Sequence, residues 1–300
     1  MPTTQTVNSN YTGEAAGAII GQAFKETSTV QRGLVTFMPN VRYKLSLKKI
    51  QYTNGKTDYS CGFTPAGAIV LSENQLTIKE IKNDLEICKD TFRATWDGLD
   101  NDMMEAIEVE VLANHSEAWD TEIWTGDSST DGEFGGIIPQ LEADDDVIKA
   151  NNGIVPLEAA ITKENVLAEL EKVTAAFPVT IRKKPDFKVL VSANVADAYD
   201  KYLVSNGIQN GNGGGSMQSV YSKYTLEEVD TLPDNTIIAY QTRNVVVASS
   251  KSNSSNELTL VDTSETLLDG NIRGKVVYGA DTGYYRGDEI VYYVSTEAVA

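Results

Sequence analysis

Histidine and cysteine are nearly missing from this 300-residue chain, which has one of the first and two of the second. His115 alone excludes an HExxH motif and every multi-histidine zinc site, and Cys61 with Cys88 are too few for a cysteine zinc site. A Ser-His-Asp triad would have to use His115, which falls between Val111 and Trp119 on an apolar stripe, so a packed or groove-lining histidine is expected there. Two cysteines suit a reducing compartment, with both thiols in the core. Basic charge is also short: 25 Lys and Arg stand against 43 Asp and Glu, a net −18. An acidic excess repels a phosphate backbone, because nucleic-acid affinity comes from cations displacing counterions, and this excludes tight nucleic-acid binding by the body of the protein. No apolar run is long enough to span a bilayer, and no basic segment leads into an apolar one at the start. The expectation is cytosolic assembly without secretion and without a membrane.

What is present is a 41% hydrophobic content, enough for one large domain or two interlocked ones. Residues 1 to about 11 are polar and unpatterned and read as a loose arm. Thr12–Glu26 predicts a short amphipathic helix with Ala15, Ile19 and Phe24 near one face, weakened by its glycines and in need of a partner surface. An extended segment follows, with Pro39 turning Met38 away from helix. Val41, Tyr43, Leu45 and Leu47 then alternate with polar residues, and Asn54-Gly55 offers the positive φ angles of a tight hairpin turn. Arg42, Lys44, Lys48, Lys49 and Lys56 make this hairpin locally basic. Its outer half reads as poor in apolar residues, so it should need another surface to lie on.

The longest helical signal runs from about Asp100 to Trp124. Met103, Ile107, Val111, His115, Trp119 and Ile123, with Met104, Leu112 and Ala118, recur at three- and four-residue spacing. Asp100, Asp102 and Glu105 suit the positive end of its dipole, and Gly126 suits a C-terminal cap. Beyond "LEADDDV", residues 162–177 predict a helix with Val166, Leu170, Val173 and Phe177 on one face, stopped by Pro178. A buried strand "FKVLVS", a second helix ending at Gly207 and a glycine-rich run follow. Short β-rich runs then occupy the chain from Thr225 onward. The fold class is α+β.

Three stretches invite a chemical reading. Asp127, Ser129, Asp131 and Gly132 occupy positions one, three, five and six of a calcium loop. Position twelve is Ile138 where a bidentate Glu is required, and Pro139 interrupts the helix that should come next. "GNGGGS" lacks the Lys-Ser/Thr ending of a phosphate loop and reads as a surface loop. Asp144, Asp145 and Asp146 read as a solvated acidic turn. No catalytic constellation, cofactor site or metal site emerges.

The stretch "AIEVEVLANHSEAWDTEIWTGDSSTDGEFGGII" carries Asp120, Ile123, Gly126, Asp127, Gly136 and Ile137 as landmarks at the end of a long helix. With "ITKENVLAELEKVTAAFP", "FKVLVSANVADAYDKYL" and "LPDNTIIAYQTRNVVVAS" in that order, the chain resembles tailed-bacteriophage major capsid proteins with the Hong Kong 97-like (HK97-like) fold. The resemblance implies an arm and short helix over 1–40, an extended β-hairpin loop over 41–75, and a peripheral domain over 76–149 whose spine helix is about 100–125. An axial domain over 150–255 and strands over 256–300 that return to the peripheral domain complete it. It implies a structural protein, not an enzyme, that assembles with itself into pentamers and hexamers of an icosahedral head around double-stranded DNA held without tight specific binding. The location would be the virion, assembled in the host bacterial cytoplasm. Separate scaffold, portal and decoration proteins would be partners, since no long charged helical segment precedes the arm and no N-terminal cleavage is indicated.

In that setting the hairpin residues Lys48, Lys49, Thr53, Asn54, Gly55 and Lys56 become inter-subunit contacts, and the hairpin and the arm helix would each lie across a neighbour. Tyr278, Tyr284, Tyr285, Tyr292 and Tyr293 would supply amphipathic contact area. An encapsulin-type protein nanocompartment is the alternative on the same fold. A calcium-binding adhesin or metal-dependent hydrolase is the alternative of another class.

Overall fold

A computed structural model describes residues 9–12, 14–59, 61–62, 65–88, 100–150, 160–207, 220–250, 257–263 and 271–294. The glycine-rich run 208–219 lies outside them. The arm is not loose where it is described: β1 (Ser9–Thr12) adds antiparallel to β12 (Glu257–Asp262), pairing Tyr11 with Leu258. Helix α1 (Glu14–Glu26) buries Ala16, Ile20, Ala23 and Phe24; Phe24 is on the expected face, and Ile19 is only partly buried beside it. Its partner surface belongs to its own chain. Phe24 stacks on Trp119 with ring centroids 4.1 Å apart and 5° between planes, so α1 is not a free arm awaiting a neighbour.

Trp119 belongs to the spine, helix α3 (Asp100–Thr125), which follows the four-residue helix α2 (Ser28–Gln31). Its 26 residues span about 39 Å at 1.5 Å per residue. Ile107, Trp119, Ile123 and Trp124 are buried, while Ala118, expected on the same face, is exposed. Asp120 is also buried, and its carboxylate accepts the Thr29 N–H at 2.8 Å while Trp124 Nε1 donates to Thr29 Oγ1 at 3.0 Å. These two bonds fasten α2 to the spine and satisfy polar groups that would otherwise be costly inside. His115 is half-buried, 5.5 Å from the Trp119 ring and 3.3 Å from the Asn83 amide, and burial lowers its pKa. It is a packing residue.

The first sheet is built around β13 (Asn271–Tyr284). One edge of β13 pairs with β5 (Lys79–Cys88), and the other pairs with β12 and then β11 (Val245–Ser250). On β11 lies β2 (Thr36–Val41), parallel and at the sheet edge, where Pro39 has no ladder bond to break. The second sheet runs β6 (Ile148–Lys149), β14 (Val291–Val294), β10 (Thr236–Gln241), β7 (Phe187–Ser192), β9 (Tyr224–Val229), β8 (Val220–Tyr221). Strand β14 therefore joins this sheet and not the first, while its Tyr292 still packs in the core that holds the spine.

Helices α5 (Val166–Ala175) and α6 (Ala193–Ser205) cover one face of the second sheet. The period of two decides which core each strand residue enters: Ile237 and Ala239 of β10 pack with the helices, and Ile238 and Tyr240 pack with the spine. The late tyrosines correct an expectation. Tyr278, Tyr284, Tyr292 and Tyr293 are buried, and three of their hydroxyls donate to carboxylates: Tyr284 to Asp144, Tyr292 to Glu142 and Tyr293 to Glu169, at 2.6 to 2.8 Å. The rings are in the core while the hydroxyls reach acceptors that are buried at Glu169, half-buried at Asp144 and exposed at Glu142, so these tyrosines are core residues and not contact area. Cys61 and Cys88 are the opposite case, free thiols on the surface.

The joint after the spine does hold a cation, though not calcium. Lys79 Nζ donates to the carbonyls of Ser128 and Thr130 at 2.9 and 2.5 Å, filling the loop with an ammonium group. Asp127 accepts the Ser129 N–H at 2.8 Å in a local turn, and Gly132 takes φ +88°. Gly126 and Gly136 are needed for close approach: Gly136 N–H donates to Gly126 O at 2.7 Å, and a Cβ on Gly136 would sit 2.5 Å from Gly126 N. The chain then enters helix α4 (Ile137–Ala143), with Pro139 in the first turn where its missing N–H breaks no helical bond.

Glu122 faces this joint with Oε2 buried and unpartnered, and burial reinforced by Glu133 pushes its pKa from 4.5 to about 7. Burial likewise pushes Asp281 to about 6, against the N–H groups of Thr77, Thr282 and Gly135 that favour its anion. Both acids hold protons in the folded state that the unfolded chain releases. Their stability contribution is therefore complete below the unfolded values and is lost as pH rises through about 6 and about 7. Glu122→Gln should melt higher than the parent at about pH 8 and close to it at about pH 5, followed by calorimetry. Equal gains at both pH values would show that the charge is not the cause.

A candidate subunit-contact surface on the hairpin

Strands β3 (Lys44–Thr53) and β4 (Ala68–Thr77) form a two-stranded sheet of their own, with ten paired residues on each side from Lys44↔Thr77 to Thr53↔Ala68. A strand pair rises about 3.3 Å per residue, so it reaches roughly 30 Å. The Asn54-Gly55 turn does not form. Neither residue has positive φ, and the strands are joined through residues 54–67. Gly55 instead lies so close to the Ala66 carbonyl that a Cβ would overlap it.

Only the base of the hairpin is anchored. Leu47 and Leu76 are buried, and Gly283 on β13 lets them approach: a Cβ there would meet them at 3.3 and 3.4 Å. Asn74 Nδ2 donates to the Tyr284 carbonyl at 3.1 Å. Lys49, one of the six expected contact residues, is turned inward and pairs with Asp288 at 2.8 Å. Burial alone would raise the Asp288 carboxyl, and the Arg286 and Lys49 cations reverse that and hold it below the usual range. Lys49 is thus committed within the chain. Lys48, Thr53, Asn54 and Lys56 are exposed, with Lys48 opposite Glu73, and Gly55 is half-buried.

The missed residues are apolar. Ile50 is paired with Leu71 and Tyr52 with Ile69, so the four side chains share one face, and they are 66%, 71%, 64% and 68% exposed. The outer half is therefore rich in apolar residues, against expectation. The run Ala68–Leu71 held the signal. An uncovered apolar face on a two-stranded sheet is the mark of a surface meant to be covered. Among the described residues no helix is long and apolar enough to cross a membrane, and no group of three or more His, Cys, Asp or Glu is placed to hold a metal ion.

Comparison with solved structures places this architecture. The capsid of the native GTA particle superposes with TM-score 0.65 at 10% identity, covering 98% of this chain and 94% of that one. A chain of the satellite phage P4 procapsid gives 0.59 at 12% identity, over 91% and 96%. The chain has the Hong Kong 97-like capsid fold. The SrpI encapsulin of Synechococcus elongatus shares that fold at TM-score 0.56 and 11% identity, over 91% and 90%. No family model and no curated protein matches the sequence. Within the capsid fold, α3 is the spine, β3–β4 is the extended loop, and the second sheet with α5 and α6 forms a separate hydrophobic core.

Proposed function

We propose that this protein is a structural shell subunit, the major capsid protein of a tailed phage, which assembles into pentamers and hexamers of an icosahedral head around double-stranded DNA. The observation that carries the reading is whole-chain similarity in both directions to capsid chains, over at least nine-tenths of each. The apolar hairpin face supports it, since a neighbouring subunit would supply the surface the chain itself leaves out. The hairpin then bridges subunits through Ile50, Tyr52, Ile69 and Leu71, with Lys48, Thr53, Asn54, Gly55 and Lys56 around them. Residues 150–255 serve as the axial domain. Scaffold, portal and decoration proteins are the partners of such a head, and the virion is its place. The role is mechanical, with no catalysis.

Electron microscopy of the concentrated protein tests this. Closed shells, or rings of five and six subunits, are expected. A species that stays monomeric at high concentration, alone and with the scaffold, overturns the reading. The encapsulin likeness favours a second reading, a protein nanocompartment. Enzyme cargo in place of nucleic acid inside purified particles would select it.

A further inference from the structure

Strands β7 and β9 are parallel neighbours, so the segments that lead into them meet at one end of the second sheet. The segment before β7 carries Arg182, Lys183 and Lys184, and β9 is entered from the two-residue turn Ser222-Lys223, closed by the Tyr221–Tyr224 pair. Between them lies a cleft of about 580 Å³ lined by these four cations and Lys188, with Glu227 the one acid among its described residues. Both segments are held by their own backbone. The Arg182 N–H donates to Pro178 O at 3.2 Å and the Lys184 N–H to Ile181 O at 2.9 Å, while Ser222 takes φ +60° and sets Lys223 at the tip of its turn. Phe187 and Tyr224 also line the cleft, each edge-on to Phe177 with centroids 5.0 Å apart, and such an apolar wall strengthens the attraction of any charge beside it.

Most of this positive charge is left uncompensated. Glu227 is answered twice, by Lys188 at 3.0 Å and by Arg32 at 3.3 Å. Asp186, the acid nearest in sequence to the basic segment, is held by Arg243 Nε at 2.8 Å and the Gln241 amide at 3.0 Å. Lys184 donates to the Gln241 side-chain oxygen at 2.9 Å, a neutral acceptor that fixes the ammonium group without cancelling it. Among the described residues Arg182, Lys183 and Lys223 have no carboxylate at ion-pair distance, and the buried Nε of Arg182 has no acceptor. A buried donor left without an acceptor is uncommon in a finished fold. The chain's net charge of −18 does not erase the patch, because charges beyond the ~8 Å screening length at physiological salt are muted and the local cations decide the potential.

We propose that this cleft is a binding site for phosphate groups. The Arg182 fork suits phosphate oxygens, and Lys183 and Lys223 bring point charges to the same group from two separate segments. A phosphate with several free oxygens uses more of these donors than a carboxylate can. Its source is either free inorganic phosphate or the backbone of a nucleic acid, which offer the cleft the same chemistry. Binding of a nucleic acid here is weak, local and blind to base sequence, since the acidic body still repels a polyanion. The site does not depend on the shell reading.

Two probes test it on the full chain: inorganic phosphate by calorimetry, and a short labelled DNA duplex by fluorescence anisotropy. For the duplex, three uncommitted cations predict that log K falls against log salt with a slope of about −3. Lys183→Glu combined with Lys223→Glu alters two exposed side chains and should weaken both probes by about tenfold or more, with the duplex slope shallower by about two. Lys183→Gln with Lys223→Gln removes the charge without reversing it and should also weaken both, which keeps the test valid if the reversal disturbs folding. Phosphate that binds and displaces the duplex supports the cleft and names the free anion as its ligand. A duplex that binds far more tightly than phosphate supports it and names the nucleic-acid backbone. A parent that binds neither probe at low salt, or binding unchanged in both variants, overturns the site. Assembly is not the readout, so the shell reading stands or falls separately.

Discussion

Ile50→Asp combined with Leu71→Asp is expected to give a subunit that folds normally and does not assemble. The two residues are a cross-strand pair in the middle of the exposed hairpin face, and neither supports the core. The monomer's stability comes from elsewhere, because the hairpin is held at its base by Leu47, Leu76 and the Lys49–Asp288 pair. Covering four large apolar side chains that are each about two-thirds exposed is worth roughly 5 kcal/mol of transfer free energy per contact. Two carboxylates in that patch remove most of it and add the cost of desolvating charge against a partner. Under the proposed shell reading the same contact would recur around every ring, so its loss would be multiplied across the particle. Sedimentation velocity should show monomer at concentrations where the parent forms particles, with the melting temperature within a few degrees of the parent. Particles at the parental yield would sink the role assigned to the hairpin.

Trp119→Ala should be the most damaging single change to the monomer. Trp119 is fully buried where three segments meet, stacked on Phe24 of α1 and set edge-on to Tyr278 of β13 with centroids 4.8 Å apart. Truncation removes one of the largest side chains in that core and leaves a cavity between rigid elements that cannot close over it. The expected loss is about 4 kcal/mol, a large part of the 5–15 kcal/mol typical of a whole domain. Trp119→Phe keeps a ring against Phe24 and should lose clearly less. Urea denaturation measures both, and a loss near 1 kcal/mol for alanine would show that the spine does not depend on this cluster.

Much of the fold was legible because long periodic segments report their own geometry. The spine helix, the helix ending at Gly207 and the late strands were placed by spacing alone, and the calcium reading failed on its missing twelfth ligand. What was misread depends on which face another segment covers. The tyrosines of β13 and β14 and the isoleucines of the hairpin are similar as sequence, yet one set is buried and the other open. The acceptors that admit the tyrosines, Asp144, Glu142 and Glu169, lie more than a hundred residues away. Strand β5 was missed although Ile81, Leu85 and Ile87 alternate, since Asn83 interrupts the pattern and its partner is distant. Asn54-Gly55 misled because a favourable dipeptide does not compel a turn. On the contact surface the charged residues stand out in the sequence, while the apolar pairs emerge only from the strand register.

The pairing of β5 with β13 also sets a schedule. Lys79 meets Ala280 and Cys88 meets Asn271, so about 190 residues separate strand from partner. At ribosomal speeds of roughly 5–20 residues per second, the earlier strand waits some 10–40 s before its partner exists. Until then the sheet beside the spine is open, and a chain that stops early never closes it. Completion of synthesis thereby becomes the checkpoint for a finished building block, and prematurely terminated chains are left to the cell's chaperones and proteases.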